Sequence, residues 1–239
     1  MIDPPAQEDR PRHAAVVPPA DQTVAMSVDN VTIRSVAELR AVYRPPAQRS
    51  LDKEIDHLDE HCRDFIANSP FVVLASTDAD GRVDASPKGG PPGFVAVLDD
   101  HRLAIPDMAG NNRLDSMRNI LEAGAVALLF LIPGIDETMR VNGRAMISTD
   151  QGVLDRCPIG DLRPNVAIVV EVRTAFIHCA KALRRAALWS TAEWPDTRDM
   201  ATPACMLKDH IGLEGTVEDS QRVLDASYAA TTWQVGGRR

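Results

Sequence analysis

At Pro70 the spacing of apolar residues changes from a helical to a strand pattern, and most of the strands that follow are joined by turns of only a few residues. Phe71 to Thr77 reads as a strand, Asp78-Ala79-Asp80-Gly81 as a hairpin turn and Arg82 to Ser86 as the returning strand. Phe94 to Leu98 and Arg102 to Ile105 form a second hairpin across Asp99-Asp100. Ala125 to Ile132, Thr138 to Ser148 and Val166 to His178 are three more strands, the first two joined through Pro133-Gly134. So short a connection can join only antiparallel neighbours. The pattern therefore predicts a mainly β, α+β protein: an antiparallel sheet of about six to seven strands closing into a barrel, with peripheral helices.

Helical signals flank this region. Ser35-Val36-Ala37-Glu38 is a capping box opening a helix that ends by Pro45. Ser50 is expected to cap a longer helix to about Asn68, because Leu51, Ile55, Leu58, Cys62 and Phe65 fall on one helical face. Within the strand region, Asn112 reads as the cap of a helix carrying Leu114, Met117, Ile120 and Leu121 and stopping at Gly124. Beyond Ala180, Thr202-Pro203 and Thr216-Val217-Glu218-Asp219 start two more helices. The organisation expected is a tail over residues 1–30, helices over 31–69, the barrel over 70–180 and a helical extension over 181–239. The tail reads as mobile, since five prolines in the first twenty positions and few large apolar residues leave little surface to bury.

A hydrophobic content of 44% is enough for a real core, and a net charge of −8 argues against a general nucleic-acid or anionic-membrane binder. The four cysteines, Cys62, Cys157, Cys179 and Cys205, are far apart and form no metal or redox pair, which suits a reducing, cytoplasmic setting. No leader pattern is visible, and the longest apolar run, Ala125 to Ile132, is far short of the roughly 20 residues that cross a bilayer.

His57-Leu58-Asp59-Glu60-His61 matches H-x-x-E-H, a zinc motif, but on the expected helix both histidines lie off the apolar stripe and no partner carboxylate follows. A solvated surface pair is the better reading, and no metal is expected. Gly89-Gly90-Pro91-Pro92-Gly93 is not a dinucleotide fingerprint, because it precedes a strand rather than opening a helix. Lys88 and Arg113 are taken singly as ordinary surface cations. Together, with Ser86, Asn111 and Asn112 in glycine-rich turns at strand ends and a helix start behind the second turn, they also suit a phosphate cradle.

The segments Ser86-Pro87-Lys88-Gly89-Gly90-Pro91-Pro92-Gly93-Phe94 and Ile105-Pro106-Asp107-Met108-Ala109-Gly110-Asn111-Asn112-Arg113 resemble the flavin-binding segments of the pyridoxamine 5′-phosphate oxidase-like, FMN-binding split-barrel superfamily. The order of elements over about residues 60–180 fits as well, including Thr138-Met139-Arg140-Val141-Asn142-Gly143-Arg144-Ala145. The resemblance implies a split barrel, FMN held at a homodimer interface, and hydride transfer to or from a small-molecule substrate. It implies that Ala85, Ser86 and Lys88 line the ribityl-phosphate side and that Asn111, Asn112 and Arg113 close on the phosphate. Arg140 and Lys181 are further candidates for flavin or interface contact.

Lys88 and Gly90 stand where relatives carry arginine and aspartate, so charge is kept but the two-pronged donor is lost. The region Ala182-Leu183-Arg184-Arg185-Ala186-Ala187-Leu188-Trp189 lacks the R-L-H-D-R-like segment that grips substrate in pyridoxamine phosphate oxidases, so the vitamin B6 reaction is not expected. No catalytic residue is assigned. Two alternatives stay open: a flavin-binding sensor or carrier with little turnover, and a split barrel holding haem, with His178 as axial ligand, or the deazaflavin F420.

Overall fold

The computed structural model describes residues 32–107, 110, 112–157 and 163–231. The expected tail over residues 1–30 and the candidate Asn111 lie outside them. Two compact units are distinguished, one ending at Pro46 and one starting at Ala47. In the first, α1 (Val36–Val42) starts as its capping box predicts, with Ser35 Oγ accepting from the Glu38 N–H at 3.2 Å.

The second unit holds the sheet. Its elements are α2 (Gln48–Asp52), α3 (Glu60–Asn68), β1 (Phe71–Thr77), β2 (Val83–Gly89), β3 (Ala96–Asp99), β4 (Arg102–Pro106), α4 (Asp115–Glu122), β5 (Ala125–Leu131), β6 (Thr138–Ser148), α5 (Gln151–Leu154), β7 (Ala167–His178), α6 (Lys181–Arg185), α7 (Pro203–Ile211) and α8 (Val217–Thr231). The seven strands form one sheet in the order β2-β1-β5-β6-β7-β4-β3, with every pairing antiparallel. Val72 and Leu74 near one end of that order and Leu103 and Ile105 near the other belong to a single buried cluster with Phe130, Val141 and Val170 from the middle. Strands so far apart in the ladder share a core only if the sheet curls round it. β2 and β3 remain as the two edges, so this is the split barrel expected.

Along the buried strands the period of two is kept: Val72 and Leu74 of β1 and Val126, Leu128 and Phe130 of β5 point inward. α3 covers one opening of the barrel with Cys62 and Ile66, and α4 adds Ile120.

Three expectations need correction. The single helix from Ser50 to Asn68 is two helices, because Ile55 leaves the helical path to exchange backbone hydrogen bonds with Ala175 of β7, at 3.1 and 2.7 Å. The chain restarts at α3 with Asp59 as N-cap, its carboxylate accepting from the Cys62 N–H at 2.8 Å. His57 therefore precedes α3, and the two histidines of H-x-x-E-H do not share a helix face.

Lys88 lies in strand β2 rather than in a turn, since the ladder continues through Val73↔Pro87, Val72↔Lys88 and Phe71↔Gly89. Pro87 is tolerated there because β2 is an edge strand. Asn112, finally, is not the cap of α4. That position is taken by Leu114 in left-handed conformation, φ 58°, with no side-chain cap bond.

Candidate functional site

The split between the two sheet ends is where chemistry-bearing residues gather. β2 supplies Asp84, Ala85, Ser86, Pro87 and Lys88, the end of β4 leads to Asp107, and residues 112–117 supply Asn112, Arg113 and the first turn of α4. Together with Gly110 these enclose a cavity of about 280 Å³. Alternation along β2 sets Ser86 and Lys88 on one face, opposite Leu74 and Val72 of β1. The backbone is unusual on both sides of Arg113: Asn112 and Leu114 both have positive φ, 57° and 58°, although neither is glycine. Such strained residues gather where a segment must present itself to a ligand.

The N-terminus of α4 opens into this cavity through Asp115, Ser116 and Met117, and the Leu114 side chain at the cap position makes no capping bond. The first N–H groups of a helix have no carbonyl partner within it and carry the positive end of the dipole. Lys88 and Arg113 add two formal charges and Ser86 a hydroxyl. This donor set fits a phosphate monoester.

Three carboxylates line the same space, and two of them are already engaged. Asp84 accepts from Ser116 Oγ at 3.0 Å, and Asp115 accepts from Arg113 Nε at 2.7 Å. Asp115 first, and Asp84 to a smaller degree, hold Arg113 firmly in its charged form. Asp107 differs: burial raises its pKa above the ordinary carboxylate value, while the Lys88 ammonium acts in the opposite sense. A second cavity of about 390 Å³ shares Asp84, Arg113 and Asp115 with the first and extends to Arg82, Arg118 and Glu122.

Of the residues anticipated, Ala85, Ser86, Lys88, Asn112 and Arg113 are brought together in the first cavity. Arg140 and Lys181 do not line it. Arg140 lies on β6 opposite Phe176 of β7, its guanidinium 5.0 Å from the ring centroid, while Lys53 stands 5.2 Å from the same ring. Lys181 is the exposed first residue of α6. His178, the residue considered for haem, ends β7; its pKa is lowered by burial and by its cationic neighbours Arg140 and Lys53. Among the described residues, no group of three metal-binding side chains occurs. No described helix is long and apolar enough to cross a membrane.

Sequence reading missed Asp84, Asp107 and Ser116. Asp107 lies in the Pro106-Asp107 segment, but a carboxylate is no local signal of a phosphate site, where cations are the expected partners. Ser116 left a fainter signal: a small polar residue four positions before Ile120, on the buried face of α4.

The profile of the pyridoxamine 5′-phosphate oxidase family matches residues 58–179, just over half of the chain. Among solved structures, HupZ from Group A Streptococcus is similar, with 19% identity and a TM-score of 0.40 over 50% of this chain and 92% of that one. An FMN-binding protein from Syntrophomonas wolfei shows 14% identity and a TM-score of 0.38, covering 49% of this chain and 83% of its own. A Clostridium acetobutylicum protein of the pyridoxinephosphate oxidase family, related to general stress protein 26, shows 9% identity and a TM-score of 0.37 over 49% and 85%. No curated protein matches the chain.

Proposed function

The chain belongs to the pyridoxamine 5′-phosphate oxidase family, and from that premise we propose that it is a homodimeric, cytoplasmic flavoprotein that binds FMN non-covalently and acts as an oxidoreductase on a small molecule. One observation carries the reading: Ser86 and Lys88 of β2 and Arg113 before α4, distant in sequence, meet in one cavity at a helix N-terminus without a side-chain cap. Lys88 and Arg113 neutralise the phosphate, Ser86 donates to it, and the first N–H groups of α4 face it. Bound FMN supplies two-electron chemistry by hydride transfer. The protein's part is placement and electrostatics, since among the described residues no histidine lines the cavity.

The cavity of about 280 Å³ lies just below the range for whole cofactor sites, which suits the phosphate end of a larger ligand. A partner subunit then covers the remainder. The outer face of the sheet suits that role: Val73 and Ala75 of β1 stand opposite Leu129 and Ala127 of β5, all half-buried and apolar. The vitamin B6 reaction itself is not part of the proposal, because the segment after β7 lacks the substrate-gripping pattern. The absorbance spectrum of the purified protein is the test. The near-ultraviolet and blue bands of an oxidised flavin are expected; a Soret band, or no flavin absorbance on the protein after FMN is offered and the unbound FMN removed, overturns the reading.

A further inference from the structure

Asp107 is the anomaly of the candidate site. A carboxylate beside a phosphate cradle repels the ligand unless it does something else, and the other two carboxylates of the cavity do: Asp84 holds Ser116 and Asp115 holds Arg113. Among the described residues, none donates a hydrogen bond to the Asp107 side chain. Its backbone is fixed, the N–H donating to the Val166 carbonyl at 3.0 Å, so the side chain projects from a held position at the end of β4. It is half-buried, yet no buried side-chain oxygen among the described residues lacks a partner, so its carboxylate oxygens remain open to the cavity. A partly desolvated carboxylate without donors is costly, and that cost falls when a donor arrives.

We propose that Asp107 accepts a hydrogen bond from the hydroxyl-bearing linker next to the ligand's phosphate, and so selects a phosphate ester carrying a polyol chain. The inference rests on the flavin reading above, where that linker is the ribityl chain. The charged groups around Asp107 explain why the donor is a hydroxyl. Lys88 from β2 and Arg113 before α4 attract the phosphate, while Asp84 and Asp115 add negative charge on the same wall. Asp107 shares this small cavity with both cations, so the part of the ligand beside it is the part next to the phosphate. A phosphate monoester is mostly dianionic at neutral pH and so is a poor donor to Asp107, whereas linker hydroxyls donate readily.

The test is a fluorescence-quench titration of the purified full-length protein with FMN, riboflavin and lumiflavin, which carry respectively linker and phosphate, linker only, and neither. Asp107→Ala is expected to weaken FMN and riboflavin alike by about ten-fold, as for one hydrogen bond to a charged group, and to leave lumiflavin unchanged. Asp107→Asn, which keeps an acceptor oxygen of the same size, is expected to bind riboflavin closer to wild type than Asp107→Ala does. Arg113→Ala is expected to weaken FMN alone. Unchanged riboflavin binding in Asp107→Ala, with or without tighter FMN, makes Asp107 a bystander charge and overturns the proposal while leaving the flavin reading intact. A loss that persists with lumiflavin overturns it too, by placing Asp107 at the ring. A wild-type protein that takes up no flavin overturns both.

Discussion

Ser116 Oγ donates a 3.0 Å hydrogen bond to Asp84 Oδ2, fastening the first turn of α4 to edge strand β2. Ser116 is buried, 5% exposed, and lies on the same helix face as Ile120. With Asn119 Nδ2 donating to Ser76 Oγ of β1 at 3.0 Å, this contact sets the distance between the segment that carries Lys88 and the segment that carries Arg113.

Ser116→Ala should cost about 1.5–3 kcal/mol of stability, the range for a hydrogen bond to a charged group. It should also lower FMN affinity, because Asp84 loses its donor and faces the cavity unengaged. Urea unfolding and flavin titration measure the two effects. A fall in stability with flavin binding untouched would mean that α4 holds its place without this contact.

Arg113→Ala should weaken FMN by about one to two decades in dissociation constant, the contribution of a charge-assisted hydrogen bond. Its side chain is 72% exposed and its ion pair with Asp115 lies at the surface, so the melting temperature of the flavin-free protein should barely move. Titration of the variant beside a thermal melt separates the two roles.

Gly143→Ala should be severely destabilising. Gly143 sits at the register shift between β6 and β7, and an added Cβ would lie 2.1 Å from the Glu171 carbonyl oxygen. Backbone of a central strand cannot swing aside as a flexible side chain can, so the sheet must distort. Loss of soluble protein, or a large fall in melting temperature, is the expected outcome.

Thiol labelling should divide the cysteines. Burial, with Asp59 adding to it, pushes the Cys62 thiol up to about 12, and burial raises Cys157 as well. Cys179 is exposed and Cys205 partly so. The thiolate is the reactive form. A thiol reagent at neutral pH should therefore modify Cys179 and Cys205 in the folded protein, and reach Cys62 and Cys157 only in denaturant. Mass spectrometry of labelled peptides reads this directly.

Sedimentation at low micromolar concentration should show a dimer, stabilised further by FMN through linkage. Alternation lets only Ala125, Ala127, Leu129 and Leu131 of β5 face a partner, since Val126, Leu128 and Phe130 fill the barrel. Leu129→Lys should therefore shift the protein toward monomer without emptying the core. A monomer fully loaded with flavin would move the cofactor site away from the subunit boundary.

The sequence by itself determined most of the strands and the hairpin pairs among them, but not the β1–β5 and β4–β7 pairings that order the sheet. β1 and β6 begin and end where the apolar pattern places them, because side chains alternate across a sheet with one face buried, and short turns such as Asp78–Gly81 leave antiparallel pairing as the only choice. It also placed Ser86, Lys88 and Arg113 in glycine- and proline-marked segments near strand ends. What only the tertiary structure decided depends on partners far away in the chain. The helix expected through Ile55 breaks because Ala175, in β7, offers hydrogen bonds that no local pattern reveals. Lys88 extends a strand because Val72 continues the ladder, and α4 starts after Leu114 instead of after Asn112 because Asn112 and Leu114 take a strained, left-handed path. Asp107 joins the cavity for the same reason: curling of the sheet brings the end of β4 across from β2, a closure set by the shared core of Val72, Leu74, Leu103 and Ile105 rather than by any local signal.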